Sequence, residues 1–156
     1  MDAKKYLMQV QMIDKLIENK LIEKEQWKSI AEGTTVASEG ERVQASTSKE
    51  KMADAVLKMI EIQTEIEAQV QKLIRTKQDI ISTIEQLKPI EYNLLHKMYI
   101  GINKRDSEGN VHVHYMDFAE VATLNGKSYS WATTTHGRAL EQVRRIINQK
   151  GEVCEI

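Results

Sequence analysis

Residues 115–147 read YMDFAEVATLNGKSYSWATTTHGRALEQVRRII, and the spacing of their apolar positions is that of a short helix, a tight turn and a second, longer helix. Phe118, Val121, Ala122 and Leu124 make the apolar side of the first helix. Asn125-Gly126 supplies the turn, where glycine takes the positive φ that a sharp angle between helices demands. Ser128 is placed to cap the second helix, whose inward positions are Ala132, Thr135 or His136, Ala139, Leu140, Val143 and Ile147. The small side chain of Ala122 allows two steeply crossing backbones to come close. Outward, near the start of the second helix, lie Tyr129, Ser130, Trp131, Thr133, Thr134, Gly137 and Arg138. Short hydroxyls, a ring and a guanidinium at a helix start suit base edges, thymine methyls and phosphates in a major groove.

Charge sharpens that expectation. The 156 residues carry a net −1, which excludes a protein that coats nucleic acid by bulk electrostatics and leaves only a local patch to do so. Between Lys127 and Lys150 stand five basic residues, Lys127, Arg138, Arg144, Arg145 and Lys150, against the single acid Glu141, for a local charge of +4. Lys127 and the exposed amides at the helix start are placed for phosphate, and Arg144, Arg145 and Lys150 for backbone farther along. A solvated face on a small helical domain is the bland alternative. An exposed Trp131 among hydroxyls argues against it.

Upstream, the chain reads as long helices, with one proline and seven glycines to break them. Tyr6, Val10, Ile13, Ile17, Leu21, Trp27 and Ile30 or Ala31 mark a first amphipathic helix to about residue 31. The stretch 33–47, rich in Gly, Ser and Thr, has no apolar face and reads as a flexible linker. Thr47-x-x-Glu50 has the form of a capping box opening a second helix. In it Met52, Val56, Met59, Gln63, Ile66, Val70, Leu73, Lys77, Ile80, Ile84 and Leu87 keep alternating steps of four and three, the seam of a coiled coil. The polar Gln63 and Lys77 fall inside it, where such groups fix register or partner number. The nearest partner is the first helix, folded back as an antiparallel hairpin. Leu7, Leu16, Ile22, Leu57, Ile60, Ile74 and Ile81 widen the apolar face, which favours a homodimer or higher homo-oligomer over packing within one chain alone. Pro89 marks the next boundary and opens a helix to about Ile100, with Leu94, Leu95, Met98 and Tyr99 inward and Gly101 ending it. Residues 102–114 suggest a small β-hairpin.

The expected fold class is all-α: a helical hairpin over 1–88, a helix-turn-helix domain over 89–150 and a tail over 151–156. No apolar run is long enough to span a membrane, the N-terminus is not shaped like a signal peptide, and the one cysteine, Cys154, suits a reducing cytoplasm. No glycine-rich phosphate loop, nucleophile elbow or paired carboxylates point to an enzyme. His112 and His114 share a strand face but have no third ligand, so neither metal nor cofactor is expected.

SYSWATTTHGRAL (128–140), preceded by FAEVATLNGK (118–127), resembles the C-terminal half of a family of small phage and prophage regulators with a sigma-region-4-like fold, related to the RinA and ArpU types. GERVQASTSKEKMADAV (40–56) resembles the stretch joining the two halves of such proteins. The resemblance implies control of phage late genes by binding double-stranded DNA near a promoter, with contact to host RNA polymerase, in the bacterial cytoplasm at the nucleoid. It also implies that Ser128 to Arg138 is the recognition segment, with Phe118, Val121, Ala122 and Gly126 as its scaffold. Residues 102–114 depart from the pattern, which has a short connection there. A small terminase-like packaging subunit, and an adaptor that never touches DNA, are the alternatives.

Overall fold

The computed structural model describes residues 2–33 and 45–154, with side chains described for 2–33 and 49–151. Helices α1 (Ala3–Ala31) and α2 (Ala45–Ile84) are followed by α3 (Pro89–Leu95), which runs into a π turn over His96–Ile100. Strands β1 (Ile102–Arg105) and β2 (Val111–His114) come next, then α4 (Phe118–Leu124) and α5 (Tyr129–Cys154). The protein is predominantly helical, and the expected hairpin over 102–114 is present as an antiparallel pair from Ile102↔His114 to Arg105↔Val111. No described helix is long and apolar enough to cross a membrane. Packing divides the chain into two compact units, Met1–Met12 with Ile74–Ile156, and Ile13–Leu73.

Within the unit Ile13–Leu73, α1 and α2 run antiparallel, because Lys20 pairs with Glu65 and Lys24, farther along α1, donates to Gln63, farther back along α2, at 2.6 Å. Gln63 therefore has its partner: its carbonyl accepts from Lys24 while its amide donates to Glu67 at 3.2 Å. The buried side of α2 differs from the expected seam. Ala55, Ile62 and Ile66 are buried, Met59, Val70 and Leu73 half-buried, and Met52 and Val56 exposed. Steps of four and three pass through Met59, Ile66 and Leu73 in either of two registers, and tertiary packing takes the one through Ala55 and Ile62. On α1, Leu16, Leu21 and Ile22 are exposed as well.

The linker expected over 33–47 falls largely outside the described residues, but its last three residues are already helical. The helix starts at Ala45, so Thr47 lies within the first turn and does not cap it; the Thr47 side chain is outside the described set. At its far end α2 stops at Ile84, three residues before the seam was expected to finish, and Glu85 to Leu87 close onto Ile81, Thr83 and Ile84 with successive backbone bonds. Lys88 is extended (φ −61°, ψ 147°) ahead of Pro89 at the first position of α3, as the steric demand of proline on its predecessor requires.

The second unit has its core where α3, the π turn, α4 and α5 meet the first turns of α1 and the last turns of α2. Leu7, Val10, Ile80, Ile84, Leu94, Leu95, Val121, Ala132, Ala139 and Val143 are almost wholly removed from water. Each large aliphatic side chain so buried contributes about 1.5–3 kcal/mol. A polar knot ties the ends of three helices. The buried Tyr6 hydroxyl donates to Asp79 and lies 2.9 Å from Thr83 Oγ1, and Lys150 donates to the same Thr83 oxygen at 2.9 Å and stands 3.6 Å from Asp79. Burial first, and the Asp79 carboxylate second, push the Tyr6 phenol well above its ordinary value. The π turn closes with Gly101 N–H donating to the His96 carbonyl at 2.8 Å. Gly101 takes φ +90°, and a Cβ there would stand 2.7 Å from Val113 Cγ1 and 2.9 Å from the His114 carbonyl oxygen, so no other residue fits between turn and hairpin. The tail expected from residue 151 is helical as far as Cys154.

Candidate nucleic-acid interface

The first of the two closing helices is set by local chemistry. Asp117 caps α4 by accepting from the Glu120 amide at 2.8 Å, and the Glu120 side chain reaches back to the Asp117 amide. Glu120 also ties the helix to the β-hairpin: its Oε2 lies 2.6 Å from His114 Nε2 and 3.8 Å from Lys104 Nζ. The His114 hydrogen bond holds the Glu120 carboxyl below its ordinary range. His114 is thus occupied, and among the described residues no three His, Cys, Asp or Glu side chains come together to hold a metal.

The reversal follows the sequence reading. Gly126 takes φ +63°, the Lys127 amide donates to the Ala122 carbonyl at 2.9 Å, and the Asn125 side chain donates to the Val121 carbonyl at 2.8 Å, so the last carbonyls of α4 are satisfied. Ser128 Oγ then accepts from the Trp131 amide at 3.1 Å and caps α5. Val121 and Ala122 are buried, as expected, whereas Leu124, assigned to the apolar side, is 55% exposed because it sits one residue from the turn.

Helix α5 packs on α3 and α4. Both Thr135 and His136 are inward. The His136 ring lies 2.7 Å from the Tyr99 hydroxyl through Nε2, stacks on the Tyr99 ring at 5.8 Å and meets the edge of Phe118 at 5.0 Å. Burial, and then the charge of Lys4, hold the imidazole below its ordinary pKa, so it is neutral at pH 7; burial lifts the Tyr99 phenol to about 12. These rings wedge α5 against the π turn and fix which side of the helix faces out.

Along the outer side, Lys127, Ser128, Tyr129, Ser130, Thr134, Gly137 and Arg138 are all exposed. Ser130, Thr134 and Arg138, at successive steps of four, form one row down the first three turns of α5. Two residues placed in this set differ from expectation. Trp131 is half-buried, so its ring is partly spent on packing, and Thr133 is half-buried with its hydroxyl donating to the Ser130 carbonyl at 3.0 Å. Tyr129 is 59% exposed, with its ring against the edge of Phe118 at 5.8 Å.

The five basic residues divide by position. Among the described residues neither Lys127 nor Arg138 pairs with a carboxylate. Arg144 forms a two-pronged bond to Glu141 at 3.1 and 2.7 Å, and Arg145 stands 3.5 Å from the same carboxylate. Glu141 is held below its ordinary range, first by the Arg144 hydrogen bond. Lys150, assigned to backbone contacts, belongs instead to the Tyr6–Asp79–Thr83 knot. Of the five cations behind the expected +4, only Lys127 and Arg138 therefore stay clear of carboxylates among the described residues, while Glu141 and Asp79 offset part of the charge toward the end of α5. No protein-family model, curated protein or solved structure matches this chain.

Proposed function

We propose that this protein is a sequence-specific DNA-binding regulator that lays the first three turns of α5 in a major groove. The observation that carries the reading is the row Ser130, Thr134 and Arg138. It is exposed, it starts at a capped helix end beside Lys127, and it is backed by an α5 inner face locked to α3 and α4. Thr134 and Arg138 read base edges, Ser128, Ser130 and Tyr129 lie near the phosphates of the groove wall, and Lys127 takes a phosphate at the helix start. Gly137 leaves room for the backbone to approach DNA, since nothing lies within 4 Å of the Cβ position it lacks. Arg144 and Arg145 supply phosphate contacts once they leave Glu141.

The resemblance to RinA- and ArpU-type regulators extends the proposal to phage late-gene control, contact with host RNA polymerase and a place at the nucleoid. The unit Ile13–Leu73 would then set self-association: Leu21, Ile22, Val56, Leu57 and Ile60 are each about half or more exposed there, and such apolar surface favours a covering partner. Binding of the full chain to labelled duplex DNA across a salt series tests the reading. We expect affinity to fall with a slope set by a few phosphate contacts, and competition by one sequence well above random DNA. Equal competition by every duplex would leave a packaging role in place of regulation, and the lack of any binding would leave an adaptor.

A further inference from the structure

A cleft of about 530 Å³ lies between the corner joining α2 to α3 and the C-terminal half of α5. Gln86, Lys88 and Glu91 line it from the corner, and Gln142, Arg145 and Gln149 from α5. Its size is that of a small-molecule site. Glu91 is the unusual member. It is only 8% exposed, yet among the described residues its carboxylate has no hydrogen-bond or ion-pair partner. Every fully enclosed side-chain polar atom described is hydrogen-bonded, so the Glu91 oxygens are reached through the cleft that residue lines. A carboxylate set in a cleft with no protein partner is open to a cation that completes it. Arg145 does not do so, being turned to Glu141 at 3.5 Å, and Lys88 is exposed. The cleft therefore combines an inward anion, two cations and three carboxamides able to donate and accept on either side.

We propose that this cleft binds a small zwitterion of the amino-acid type, its protonated amine or guanidinium on Glu91 and its carboxylate on Lys88 and Arg145. Arg145 is also one of the proposed phosphate contacts, so occupancy lowers affinity for DNA. That consequence alone rests on the DNA-binding reading; binding itself is measured without DNA, so the two fail separately.

The test is an amide-resonance titration of the full chain with L-arginine, with agmatine, which lacks the carboxylate, and with succinate, which lacks the cation. L-Arginine is expected to give saturable shifts confined to 86–91 and 142–149, with agmatine and succinate weaker by about tenfold or more, since each loses a charge-assisted pair. Glu91→Gln should weaken L-arginine to a similar degree. If Glu91→Gln unfolds, the double substitution of the exposed Lys88→Gln and Arg145→Gln takes its place and should abolish the preference for L-arginine over agmatine. The absence of saturable shifts up to about 10 mM, where even millimolar affinity would be seen, or shifts that survive these substitutions, would overturn the proposal and leave a hydrated groove.

Discussion

The two ends of α5 carry the same kinds of side chain and use them differently. In its first half, Lys127 precedes the capped end, Arg138 stands about three turns along, and neither pairs with a carboxylate among the described residues. Toward the end, Arg144 and Arg145 share Glu141, and Lys150 is drawn into the Tyr6–Asp79–Thr83 knot. A count of positive charge treats all five alike. Geometry separates cations left open from Arg144 and Arg145, which pair within their own helix, and from Lys150, which ties α5 to α2; on the proposed function the first group carries recognition.

The strongest way to break that contrast is at the start of the helix. Arg138→Ala is expected to cost about 1–3 kcal/mol of DNA affinity and to relax preference at one base pair, with the melting temperature unchanged, because the side chain is exposed. Site selection and calorimetry on the same variant check both halves. At the other end the order should reverse. Tyr6→Phe removes the hydroxyl from the knot, leaves Asp79 and Lys150 to rearrange, and should cost about 1–2 kcal/mol of stability in denaturant while DNA affinity per folded molecule holds.

How much of this could be read from sequence depended on whether the signal was local. Gly126, Ser128 and Pro89 each act within a few residues, through a positive φ, a hydroxyl cap and a restricted predecessor, and the structure uses all three as expected. The Asp117-x-x-Glu120 capping box was equally local and was the signal overlooked, although it fixes the start of α4. What depended on distant partners was not legible. The seam of α2 could pass through Ala55 and Ile62 or through Val56 and Gln63, and only packing selects between them. Lys150 looked like a phosphate contact because its partners lie 67 and 71 positions away in the chain. Trp131 looked exposed because nothing nearby shows what covers one of its sides. The unpartnered Glu91 leaves no trace in the sequence at all.

A smaller effect concerns the wedge that presents the outer row. His136 is held neutral by burial, and His96 is depressed too, by burial and then by Lys97 and Lys77. A histidine whose folded pKa lies below its unfolded value gives full stability above about pH 6.5 and loses it as pH falls toward the folded value, at up to about 1.4 kcal/mol per pH unit for each group. Urea midpoints from pH 7.5 to 5 should decline accordingly, and His136→Gln should flatten part of that slope. The smallest effect sharpens the comparison at the paired end. Glu141→Gln releases Arg144 and Arg145 and should raise DNA affinity a few-fold with a steeper salt slope of roughly one unit, the same for all sequences. Anisotropy titrations on cognate and random duplexes at two salt concentrations measure it.

On the proposed function, sequence is read by the first three turns of α5. Selection of binding sites from a random DNA pool by the full chain, wild type beside Thr134→Ala, Arg138→Ala and Arg145→Ala, decides whether it is. We expect one enriched sequence, changed at separate positions by Thr134→Ala and Arg138→Ala and unchanged by Arg145→Ala. An enriched sequence indifferent to Thr134 and Arg138, or no enrichment by the wild-type protein, would contradict it.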